Sequence, residues 1–147
     1  MYVCVMASVL RSQGYDELLR RLREVAPLVR LTRSDEAINT VEFFVHTEDV
    51  RRPNHLPARD MPEEFERKIW SRLSKQARLS FRRAKVRVRL IPTVGAPVEV
   101  GSGELVEVRG RPSELLLLAF NRKDNARLGY DGNAAAIDLL KSARLGL

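Results

Sequence analysis

Hydrophobic and polar positions follow two different periods along this chain, and the change falls near Ala84. Up to that point apolar residues recur every third or fourth position, as in helices that bury one face. Leu18, Leu19, Leu22 and Val25 make such a face in a segment that opens at Tyr15, carries Asp16 and Glu17 in its first turn and stops at Pro27. Ser34 is a good N-cap for a second helix running to about Arg52, on which Ile38, Val41, Phe44 and Val45 form the apolar stripe and Phe43 adds a further apolar side. Pro53, Pro57 and Pro62 punctuate an extended crossing segment. A third helix starts at Pro62, with Glu63, Glu64 and Glu66 in its first turn, and runs to about Ala84. Along it Phe65, Ile69, Leu73, Ala77 and Phe81 return every fourth residue, with Trp70 beside them, so this stripe faces a core or a partner.

Beyond Ala84 the period drops to two. Val86 to Leu90 alternates strictly, and Val98 to Val100 and Leu105 to Val108 continue as short strands separated by Gly95-Ala96-Pro97 and Gly101-Ser102-Gly103. Three strands in succession suggest a meander. Pro112-Ser113-Glu114 opens a strongly apolar helix from Leu115 to Phe120, followed by a short strand near Ala126 to Tyr130, a turn at Asp131-Gly132 and a last helix from Ala134 to Ala143. The predicted class is α+β: a helical region over residues 1–84, then a small α/β domain over residues 85–147 with a mixed, mainly antiparallel sheet.

Composition narrows the function classes. With 147 residues, 44% hydrophobic and 31% charged, the chain has the make-up of a soluble globular protein. The apolar opening, Tyr2 to Leu10, is too short to span a bilayer and lacks the flanks of a secretory signal, so a cytoplasmic location is expected. A single cysteine, Cys4, excludes an internal disulfide and a cysteine-based zinc knuckle, and its apolar neighbours suggest a buried small hydrophobe. Of 26 basic residues 21 are arginine, and the net charge is +7. Arg67, Lys68, Arg72, Lys75, Arg78, Arg82, Arg83, Lys85, Arg87 and Arg89 form a basic band that admits a phosphate backbone. The aromatics there, Phe65, Trp70 and Phe81, fall on the apolar stripe instead of beside the charges, which makes nucleic-acid binding the weaker reading.

Chemistry concentrates in Val41-Glu42-Phe43-Phe44-Val45-His46-Thr47-Glu48-Asp49. Glu42 and His46 stand one helical turn apart, and the apolar surroundings are expected to carry Glu42 out of water. There an unpaired carboxylate is costly, and a divalent cation shared with an imidazole is a good partner. Asp49 is placed either to orient His46 or to extend the polar edge toward solvent. His55, in the proline-rich segment, is an exposed loop histidine and a less favoured substitute ligand.

The stretch Asn39 to Arg52, together with Val108-Arg109-Gly110-Arg111-Pro112-Ser113-Glu114-Leu115-Leu116-Leu117 and the closing Ala143-Arg144-Leu145-Gly146-Leu147, resembles the later part of the mycothiol-dependent maleylpyruvate isomerase family of the DinB-like metal-binding superfamily, the first stretch being similar to a signature of one actinobacterial branch of that family. The resemblance runs from about Tyr15 to the end. It implies a partial DinB-like helical bundle followed by a sterol-carrier-like α/β domain. It also implies a metal, zinc first, held by Glu42 and His46, with mycothiol as a thiol cofactor acting on a small electrophile. The family's early ligand histidine has no counterpart before Glu42, so the chain resembles a member shortened at its front, with impaired or no activity. Asn121 and Asn133 also depart from the family pattern, which places glycine and aspartate there. A homodimer or a complementing fragment is the expected rescue for a half-bundle. A non-catalytic interaction or ligand-binding module is the alternative.

Overall fold

In a computed structural model, residues 34–146 are described, and by contact density the chain divides into Met1–Glu42 and Phe43–Leu147. The helix expected over Tyr15 to Val25, and Cys4, lie outside the described residues. Helix α1, Ser34–Arg51, runs across the division. The line drawn at Ala84 from the change of period falls inside the Phe43–Leu147 unit.

That unit holds α2 (Glu63–Ser80), β1 (Arg87–Pro92), β2 (Val98–Val100), β3 (Leu105–Gly110), α3 (Pro112–Ala119), β4 (Gly129–Gly132) and α4 (Ala134–Ser142), with a single 3-10 turn at Lys123–Asn125. The strands form a four-stranded mixed sheet in the order β2-β1-β3-β4, so the α+β class holds. The expected meander does not. β2 pairs antiparallel with β1, but β3 lies on β1's other side, parallel to it, with Val88 opposite Val106 and Leu90 opposite Val108. The crossing passes close under the start of β1, where Gly101 adopts φ +82° and an added Cβ would lie 2.4 Å from the Val86 carbonyl oxygen. The glycines read from sequence as a plain strand spacer are what permit that passage. β4 also starts later than expected: Asp131 and Gly132 are not a turn but pair with Glu107 and Val106, and Asn133 caps α4 by accepting the Ala135 N–H.

Alternation sorts the sheet into two faces. Val88, Leu90, Val106 and Val108 are fully buried on the inner face. On the outer face, arginines and acids form a cross-strand ladder: Arg87 with Glu99, Arg89 with Glu107, and Arg109 with Glu107 and Asp131. α3 packs against α2 and lies on β1 and β3, and with neighbours all round it Leu115 to Ala119 are all buried. The apolar stripe of α2 therefore faces this core: Ile69, Trp70, Leu73, Ala77 and Phe81 are buried. Trp70 donates its indole N–H to the Ala96 carbonyl at 3.1 Å, which fastens the β1–β2 loop. Among the described residues no helix is long and apolar enough to cross a membrane.

Candidate functional site

An α-helix turns about 100° per residue, so Val41, Phe44, Val45, Glu48 and, one residue past the end of α1, Arg52 fall on one side. Val41, Phe44, Val45 and Glu48 are buried there. Glu42, Phe43, His46 and Val50 lie on the other side and are exposed. The expected burial of Glu42 is thus corrected: the stripe Val41, Phe44, Val45 continues to Glu48, and Glu42 sits about 100° away from Val41 on the helix. Glu42 keeps its water and so has no need of a cation to offset burial.

Glu48 is the carboxylate that leaves water, with its side chain 1% exposed. It accepts from Arg52 Nε at 2.7 Å and from Arg59 Nε at 2.8 Å. Burial pushes its pKa up, and the two guanidiniums outweigh burial, so the net position lies below the ordinary carboxylate range. Arg52 continues the network as a fork onto Glu114, Nη2 to Oε1 at 2.7 Å and Nη1 to Oε2 at 2.9 Å, and Nη1 also donates to the Asn125 carbonyl. Glu114 accepts the Arg127 backbone N–H at 2.8 Å. Arg59 also covers the Phe44 ring, 5.1 Å from its centroid, and Phe44 meets Phe65 at 5.7 Å. Nearby, buried Glu66 accepts both the backbone N–H and the hydroxyl of Ser113 at 2.8 Å, so a protein carboxylate already occupies the N-terminus of α3. These acids are saturated with donors. They tie α1 and the 58–60 segment to α3 and are not poised to move protons.

On the outer side of α1, His46 is 73% exposed and its Nδ1 lies 3.7 Å from Asp49 Oδ2. Asp49 is gripped by Arg122, whose Nε and Nη2 donate at 3.0 and 2.7 Å, and this contact, with burial opposing it, holds the Asp49 pKa below its ordinary value. Asp49 is therefore a strut between His46 and the turn after α3, more than the solvent edge expected for it. His55 is exposed, with φ +58°, on the loop that ends α1. Phe43 and Val50 flank His46 and are 74% and 66% exposed. Among the described residues no group of three or more His, Cys, Asp or Glu side chains stands together in a metal-holding arrangement.

Two further regions bear on function. A cleft of about 570 Å³ at the carboxyl ends of parallel β1 and β3 is lined by Arg59, Arg111 and Arg127, but Asp60 and Glu114 line it too, and Asp60 pairs with Arg111 at 2.5 Å, so its charge is largely balanced. The basic band divides. Arg67 and Lys68 pair with Glu63 and Glu64 one turn back, and Arg87 and Arg89 belong to the sheet ladder. Arg72, Lys75, Arg78, Arg82, Arg83 and Lys85 form no ion pair among the described residues, while Trp70 and Phe81 are buried and unavailable for base stacking.

Pattern reading found α1 and its stripe but missed Glu48, Arg52, Arg59 and Glu114. The Glu48–Arg52 spacing of four on a helix was the available signal, and Glu114 comes from 62 residues further on. Comparison with protein-family models, curated proteins and solved structures gives no match.

Proposed function

We propose that the chain is a metal-binding protein whose α1 face supplies Glu42 and His46 as half of a site, and that a second copy of the chain completes it. The observation that carries this reading is the exposed imidazole: Asp49, fixed by Arg122, has its Oδ2 3.7 Å from His46 Nδ1, so Nε2 is the nitrogen left to act as a ligand. Glu42 precedes it by one turn and is also exposed. In kind these donors suit zinc or a similar divalent cation; in number they do not, since zinc sites in proteins use three or four protein ligands. Two-fold pairing of α1 faces doubles one carboxylate and one imidazole to four donors and covers Phe43 and Val50. In the family that the chain resembles, such a cation lowers the pKa of a cofactor thiol for attack on a small electrophile. Here the chain's own residues supply binding and orientation.

The test is sedimentation and thermal unfolding of the whole chain with and without zinc. Zinc is expected to drive dimer formation and raise Tm, and both effects should vanish in His46→Ala and Glu42→Ala, while Asp49→Asn weakens them. A chain that stays monomeric with zinc, or one whose zinc response survives both alanine variants, rules the reading out.

A further inference from the structure

We propose that a cleft of about 380 Å³ between the end of α2, the turn after α3 and residues 144–146 binds the phosphate group of a small ligand. Its lining includes Ser80, Arg83, Asn121, Arg122, Arg144 and Gly146 and, among the described residues, no carboxylate side chain. In that respect it differs from the cleft at the carboxyl ends of β1 and β3, where Arg111 pairs with Asp60 and Arg59 with Glu48. Arg83 and Arg144 are exposed and, among the described residues, form no ion pair or side-chain hydrogen bond. Two uncompensated guanidiniums facing one cavity repel each other, and an oxyanion between them removes that repulsion while using donors that no protein acceptor uses.

A second, independent feature points the same way. Ser80 is 4% exposed, lines the cleft, and its hydroxyl makes no hydrogen bond among the described residues. The hydroxyl oxygen itself is reachable from the cleft, and a ligand oxygen is a suitable acceptor for its proton.

The frame of the cleft is rigid. Asn121, at φ +64°, ends α3 with its own N–H on the Leu118 carbonyl at 2.9 Å and the Arg122 N–H on the Leu117 carbonyl at 2.8 Å. Its side-chain oxygen accepts the Leu145 N–H at 3.1 Å, and Ser80's carbonyl accepts the Gly146 N–H at 3.1 Å, so the segment bearing Arg144 is held from two sides. Glycine would reach the same backbone conformation as Asn121 but offers nothing to hold Leu145. Arg122 is oriented by Asp49 and by its Nη1 bond to the Phe120 carbonyl at 2.6 Å, and the Asp49 carboxylate balances its charge. Arg83 and Arg144, neither of them paired with an acid, suit a doubly charged tetrahedral oxyanion better than a monocarboxylate, and the volume exceeds what a bare phosphate fills, leaving room for an organic group.

Calorimetric titration of the full chain with inorganic phosphate and with a simple alkyl phosphate monoester, at ionic strength held constant with chloride, tests this. Both should bind saturably, the monoester at least as tightly. Affinity should fall about ten-fold or more in Arg83→Ala and in Arg144→Ala, fall in Ser80→Ala, and hold in Arg67→Ala, which alters the same helix outside the cleft. Unchanged urea midpoints in these surface variants separate loss of binding from loss of fold. Absence of saturation, equal binding in both arginine variants, or a monoester that binds far more weakly than inorganic phosphate overturns the proposal. None of these outcomes depends on zinc or on α1.

Discussion

Replacing Arg52 with methionine should be among the most damaging single changes in the Phe43–Leu147 unit. Arg52 donates to Glu48, twice to Glu114 and to the Asn125 carbonyl, and the three side chains are each less than a tenth exposed. Methionine nearly matches the aliphatic stem, so the change leaves packing close to intact and removes the charge. Glu114 is then left in a poorly hydrated space with only the Arg127 N–H, while Glu48 keeps Arg59 and, at 3.7 Å, Arg51. Breaking a buried ion pair by deleting one partner costs about 3–5 kcal/mol, most of it the penalty of the stranded charge. At about 4 °C per kcal/mol for a unit of this size, Tm should drop by about 12–20 °C. Urea unfolding read by Trp70, the chain's single tryptophan and a buried one, measures it directly. Adding Glu114→Gln to Arg52→Met removes the stranded charge and should recover at least half of the loss. A loss under about 1 kcal/mol, or a double variant no more stable than Arg52→Met, would refute the idea that this network is held by charge pairing in a dry space.

Two other outcomes follow from the same geometry. Glu48 and Asp49 both have folded pKa values below their ordinary ones, so their contribution to stability is full above the unfolded carboxylate pKa and is lost as pH falls through the folded values. Urea midpoints should therefore be level above about pH 6 and decline steadily in acid, and Asp49→Asn should make that decline shallower; a decline that begins well above pH 6 would contradict the assignment. Gly95→Ala should destabilise by about 1–3 kcal/mol, because φ is +105° and the new Cβ would lie 2.4 Å from Trp70 Cδ1, and a shifted Trp70 emission spectrum should accompany the loss.

Most elements were legible in the sequence because each depends on local period and punctuation. The leucine run of α3, the every-fourth-residue stripe of α2 and the alternation of Val86 to Leu90 each specify an element and its buried face with no knowledge of partners. Which face of α1 takes its acid inward is also legible: Glu48 continues the Val41, Phe44, Val45 stripe at the right spacing, whereas Glu42 and His46 fall off it.

By itself, then, the sequence determined the helices and strands, their amphipathic sides, and the α+β class, because propensity, caps and hydrophobic period act over a few residues. Tertiary structure alone decided that β3 crosses to pair parallel with β1, that Glu114 meets Arg52, that Arg122 braces Asp49, and that Arg83 and Arg144 face one cleft. Those pairings join residues tens of positions apart. Their energy comes from desolvated charges and packed volumes in three dimensions, and no local pattern along a chain encodes which distant carboxylate a given arginine will find.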